Sequence, residues 1–136
     1  MSLFNIFEIS GSALATQSKK MEIHATNIAN SDSLVYKYGK LYPYVAKKVI
    51  LKFNSILNSN IGGVKIDKII DDTSPLKTVY DPDSPISDSK GFAKVSNVNE
   101  ISETISAISA SRNYQTNLEI LNTTKNMIMK TLTIGQ

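Results

Sequence analysis

The sequence predicts an α+β protein: an elongated antiparallel pair of long terminal helices, coiled-coil-like in packing, with a small β-hairpin or β-rich insert between them. Three observations carry this. Leu3–Asn30 holds no proline and only Gly11, and Val98–Leu132 holds neither proline nor glycine. Apolar residues in both stretches recur at helical spacing. Between them the period falls to two, the spacing of a strand with one apolar face. The expected division is 1–30 with 98–136 as a helical coiled-coil unit, and 31–97 as a central β-rich insert.

In the first stretch Phe7, Leu14, Met21 and Ile28 recur every seven residues, with Gly11, Ser18 and Ala25 between them. Large and small side chains therefore alternate along one helical seam, and the small ones admit a close neighbour. Asn30, Ser31 and Asp32 supply turn chemistry that should end the helix. In the last stretch Asn99 is placed to cap, Glu100 and Glu103 lie in the first turn, and Lys125 and Lys130 lie nearer the other end. Ile101, Ile105 and Ile108 form one apolar stripe. Tyr114, Leu118, Leu121, Ile128 and Leu132 form another, displaced across Ser109 to Asn113, so the helix drifts or changes partner there.

In the middle, Val45, Lys47, Val49, Leu51 and Phe53 alternate with Tyr44, Ala46, Lys48, Ile50 and Lys52, which reads as a strand over 44–53 with one mostly apolar face. A second strand should follow Gly62-Gly63 through Val64, Ile66 and Ile70, pairing with the first across the loop from Asn54 to Gly63. A short third strand around Lys77 to Tyr80 is expected to join them before Pro82 and Pro85.

One length decides what such a chain can be. A compact globule of this size is about 37 Å across, whereas a helix of about 35 residues is about 52 Å long. The helices would overhang their own body. Helices in water owe most of their stability to packing, so an apolar stripe that overhangs must meet another chain.

Composition excludes several chemistries. The 136 residues include no cysteine, which removes disulfides, thiolate metal sites and thiol nucleophiles. The longest charge-free stretch, Phe53 to Val64, is too short and too rich in turn formers to span a membrane, and no basic region of a secretory signal opens the chain. No membrane insertion is expected. Residues 37–70 carry +6 of the net +3, the rest being −1 over 1–36, −3 over 71–90 and +1 over 91–136. Arg112 is the single arginine, and lysine lacks the planar fork that reads phosphates and guanine edges. A solvated surface is the expected role of that charge.

No converging catalytic set is visible, so no enzyme, cofactor, metal or small-molecule substrate is expected. His24 lacks motif partners and reads as a seam or surface residue. Asp81, Asp83 and Asp88 fail as a calcium loop because Pro85 and Phe92 stand where oxygen ligands belong. Gly62-Gly63 lacks the Lys-Ser or Lys-Thr partner of a phosphate cradle. Asn122-Thr123-Thr124 matches a glycosylation acceptor but lies inside the predicted helix. The Tyr36, Lys37, Tyr38, Lys40, Tyr42, Tyr44, Lys47, Lys48 stretch interleaves aromatics and cations as single-strand binders do, which makes a small basic nucleic-acid module the alternative. Tyrosines on a strand face with lysines guarding a sheet edge are the preferred reading.

Both ends resemble a known family. Phe4-Asn5-Ile6-Phe7, Ser12-Ala13-Leu14 and Asn27-Ile28-Ala29-Asn30 are similar to the N-terminal signature of bacterial flagellar rod and hook axial proteins. Ser111-Arg112-Asn113-Tyr114-Gln115-Thr116-Asn117 and Leu132-Thr133-Ile134-Gly135-Gln136 are similar to their close. Ser74-Pro75-Leu76-Lys77, Tyr80-Asp81-Pro82, Gly91-Phe92 and Asn97-Val98-Asn99, with the short length, resemble the proximal-rod branch. Thr116 stands where alanine is usual, and Ser31 to Tyr38 lacks the usual threonine-proline-glycine turn.

The resemblance implies an axial protein exported by the flagellar type III apparatus without a cleaved signal. It would then be built into the rod that crosses the periplasm, beside other rod subunits and basal-body proteins. The expected subunit-interface residues are Phe7, Leu14, Met21, Asn27, Ile28, Asn30, Tyr114, Gln115, Asn117, Leu118, Leu121, Ile128 and Leu132.

Overall fold

A computed structural model describes residues 3–55 and 62–134. Helix α1 runs Leu3–Ala29, and helix α2 runs Glu100–Ile134. Six strands lie between them: β1 Leu34–Lys37, β2 Lys40–Pro43, β3 Lys47–Ser55, β4 Gly62–Asp71, β5 Lys77–Tyr80 and β6 Phe92–Val95. They form three separate antiparallel pairs, β1 with β2, β3 with β4, and β5 with β6.

Each helix boundary has a local cause. The Asn30 N–H donates to the Thr26 carbonyl at 3.1 Å, and its Nδ2 donates to the same oxygen at 2.8 Å, closing α1. Asn99 caps α2: its Oδ1 accepts from the Ser102 N–H at 3.2 Å, with Glu100 and Glu103 in the first turn near the positive end of the dipole.

The insert departs from expectation in two ways. Tyr44 to Ala46 leaves the sheet, so the strand expected over 44–53 begins at Lys47 and its partner is β4. Tyr44 and Ala46 are instead buried against Val98, with Val35 beside them. The third strand does not join that hairpin; β5 pairs with β6, Lys77 opposite Val95 and Tyr80 opposite Phe92, and the two rings meet edge-on at 5.4 Å. The β1–β2 hairpin had no sequence reading. Its turn, Tyr38-Gly39, has φ of 51° and 78°, the positive values that a two-residue primed turn requires at both positions. The β3–β4 connection, residues 56–61, and with it most of the loop expected from Asn54 to Gly63, lies outside the described residues.

α1 is covered on two sides, by α2 and by the β3–β4 hairpin. The hairpin approaches closely because β4 offers no side chain there: a Cβ on Gly63 would collide with the Ser12 hydroxyl. That hydroxyl accepts from the Val64 N–H at 3.1 Å and donates to the Ile9 carbonyl at 2.7 Å. A second fastening joins the insert to the start of α2. Asn97 Oδ1 accepts from the Ala46 N–H at 2.9 Å, its Nδ2 donates to the Ser74 carbonyl at 3.1 Å, and Lys77 Nζ donates to the Val98 carbonyl at 2.7 Å.

The buried apolar set is small: Ile23, Tyr44, Ala46, Ala93, Val98 and Ala110. The accessible surface is 9615 Å² for 14.9 kDa, whereas a compact monomer of this mass exposes about 7,000 Å². The excess comes with 35 residues of α2, about 52 Å of helix.

Candidate assembly interface

The helix pair is organised around a polar node near its loop end. Asn27 is fully buried, and its amide uses every hydrogen-bonding position it has. Oδ1 accepts from the Lys47 N–H at 2.9 Å and from the Tyr44 hydroxyl at 3.0 Å. Nδ2 donates to the Lys47 carbonyl and to Glu103 Oε2, both at 2.9 Å. Glu103 Oε2 also meets His24 Nδ1 at 2.7 Å, so α1, α2 and the first residue of β3 converge on one side chain. Burial first, then the Asp71 and Glu103 carboxylates, push the Tyr44 phenol above its ordinary value. It therefore stays protonated and keeps donating.

Away from the node, the inner face of α2 carries Glu103, Ala110, Asn117 and Thr124 seven apart, interleaved with Ala107, Tyr114, Leu121 and Ile128. All are buried or half-buried, and Ala110 and Thr124 are the most covered. This is a heptad seam built partly from small and polar side chains. On α1 the fully covered positions are Ser10, Thr16, Ile23 and Asn27. The expected seam of Leu14, Met21 and Ile28 is half-buried, at the edge of the covered face, and Phe7 is exposed. The offset arises because α1 serves two neighbours, and the hairpin as well as α2 decides which residues are deepest.

The other residues expected at a subunit interface are spread widely. Tyr114, Asn117, Leu121 and Ile128 lie half-buried on the inner face of α2; Gln115, Leu118 and Leu132 are exposed; Asn30 closes α1. Asn27 is internal to the subunit, held by Lys47, Tyr44 and Glu103, with no surface to offer a neighbour. His24, read from sequence as a seam or surface residue, lies half-buried between the helices. Its pairing with Glu103, and the Ser12–Gly63 fastening, left no signal in spacing.

The first apolar stripe of α2 is not part of the seam. Ile101, Ile105 and Ile108 are 74%, 63% and 51% exposed. At about 100° per residue, the six positions from Ile108 to Tyr114 place the two stripes on well-separated faces. The helix therefore changes which face it makes apolar. Further exposed apolar residues gather toward the far end of the pair: Phe4 on α1, and Met127, Met129, Leu132 and Ile134 on α2.

Two family models match the chain. The model described as "Flagella basal body rod protein" covers residues 7–34, and that described as "Flagellar basal body rod FlgEFG protein C-terminal" covers residues 89–134. A "Flagellar basal-body rod protein FlgC" of Buchnera aphidicola subsp. Baizongia pistaciae is 69% identical over 136 residues, the whole of both chains. The chain belongs to the FlgC family. FlgC proteins of Salmonella typhimurium and Escherichia coli O157:H7 are each 46% identical, again over the whole of both chains. As an FlgC-family member it is a structural subunit of the flagellar basal-body rod and resides there, assembled with other rod components. Nothing supports the nucleic-acid alternative; its tyrosine-lysine stretch is divided between the β1–β2 hairpin and the start of β3. No helix among the described residues is long and apolar enough to cross a membrane.

Proposed function

We propose that this chain builds the proximal part of the rod, entering it after export through the flagellar type III apparatus, and that it catalyses no reaction and takes no cofactor. Residues 1–30 and 98–136 act as the assembling unit, passing torque along the rod and lining the route of export. Residues 31–97 form the outer layer. Phe7, Leu14, Met21, Ile28, Tyr114, Gln115, Leu118, Leu121, Ile128 and Leu132 contribute to contacts between neighbours or to the helix pairing that presents them.

The observation that carries this is the surface of the helix pair. Ile101, Ile105, Ile108, Met127, Met129, Leu132 and Ile134 are all at least half exposed along one helix, an apolar load that a lone soluble chain does not sustain over such a length. Leu132→Asp tests it by placing a charge among these exposed apolar side chains, where the subunit's own helix pairing is little affected. In a strain lacking the native subunit, the variant is expected to leave rods unbuilt and cells non-motile. Normal rods containing the variant would refute the assembling role of this surface.

A further inference from the structure

Two uncovered faces of the helix pair match in spacing and charge. On α2 the exposed ridge Ile101, Ile105, Ile108 is continued four residues on by exposed Arg112. On the outer side of α1, Glu8, Gly11, Ala15 and Ser18 fall on one line at intervals of three, four and three, against four, three and four on the ridge, so the two series keep within one residue of each other. Glu8, Ala15 and Ser18 are exposed, and a Cβ built on Gly11 would meet no atom within 4 Å. Half-buried Leu14 and Met21 run along one side of this face, so it is a shallow groove with a small-residue floor and an apolar wall.

We propose that the isoleucine ridge of one copy seats on the outer face of α1 in a second copy, with Arg112 against Glu8. This deepens the assembly reading above and rests on it. Ridge and groove lie on different helices, so neither satisfies the other within one subunit. Because α1 and α2 run antiparallel, copies stacked with a common polarity present α2 of one to α1 of the next in opposite directions. Reversed, the series Arg112, Ile108, Ile105, Ile101 falls on Glu8, Gly11, Ala15, Ser18. Branched side chains then enter where the floor is lowest, as ridges enter grooves, and the chain's single arginine meets an acid. The two faces are unlike, so the contact is heterologous and propagates instead of closing on a pair.

The cysteine-free sequence makes the test direct. The full chain carrying both Ala15→Cys and Ile105→Cys is incorporated into rods in cells, and isolated basal bodies are oxidised and run under denaturing conditions. The expected result is a ladder of two, three and more linked copies, absent from either single variant. No species above the monomer, a product that stops at two copies, or a link to a different subunit would each overturn the proposal.

A charge exchange gives a second readout at exposed positions that do not threaten folding. Arg112→Glu is expected to reduce incorporation several-fold, and adding Glu8→Arg to restore it; absence of rescue counts against the contact. If Leu132→Asp blocks assembly while the cysteine pair stays silent, this contact alone fails. If Leu132→Asp assembles normally, the underlying assembly reading fails.

Discussion

The two ends of the helix pair obey opposite rules. At the loop end, Asn27 makes four hydrogen bonds to three residues, Tyr44, Lys47 and Glu103, and His24 and Glu103 join the helices, while the exposed Ile101 and Ile105 lie on the outer face away from this node. At the far end, Leu132 and Ile134 stand 64% and 85% exposed. The inner side of the first end is fastened by polar groups of its own chain, whereas the second end is marked by apolar side chains in the open. The polar node and the exposed apolar side chains thus occupy different positions along one pair of helices, which a mutation can address individually.

The largest expected effect is at the node. Asn27→Leu conserves size but leaves the Lys47 peptide group, the Tyr44 hydroxyl and Glu103 without their shared partner, at a cost of about 3–5 kcal/mol. Urea unfolding of the isolated chain, followed by circular dichroism, should show a much lower midpoint. An unchanged midpoint would break the contrast at its strongest point. Gly63→Ala comes next: its methyl collides with Ser12, so the β3–β4 hairpin must lift from α1 at about 1–3 kcal/mol. Faster hydrogen exchange at the Val64 amide than in the native chain is the signature.

A change at the other end sharpens the comparison. Leu132→Ser should shift the isolated chain's stability by no more than about 0.5 kcal/mol, yet reduce its incorporation into rods. Equal sensitivity of both measurements would mean that the ends are not distinct. The smallest effect concerns pH. The Lys48 ammonium donating to Asp72 at 2.8 Å, helped by the Ser74 N–H and hydroxyl, holds that carboxyl below its ordinary value of 3.8. A lowered folded value adds stability above the unfolded one, and this is lost as pH falls through the folded one. Asp72→Asn should therefore differ slightly from the native chain at neutral pH and converge with it in acid; a gap independent of pH would refute the linkage.

What could be read from sequence follows the same division. Both helices were legible because an unbroken proline-free run with seven-residue periodicity needs no knowledge of neighbours. The β3–β4 pairing was legible from alternation. Which stripe of α2 faces inward was not, since Ile101, Ile105 and Ile108 are as apolar as Tyr114, Leu121 and Ile128, and only the position of α1 separates them. The node was hidden differently. Asn27 belongs to a motif that marks the family, but its partners lie 17, 20 and 76 residues away, and spacing carries no trace of such contacts. The β1–β2 hairpin escaped because its turn places tyrosine, not the usual asparagine or aspartate, before glycine.

The antiparallel course of α1 and α2 brings Phe4 and Ile134 to the same extremity, remote from the node. Epitopes or fluorophores appended to either terminus would crowd the very zone left open to neighbours. A reporter grafted at Tyr38-Gly39, where Tyr38 is 99% exposed on a hairpin tip, avoids that conflict.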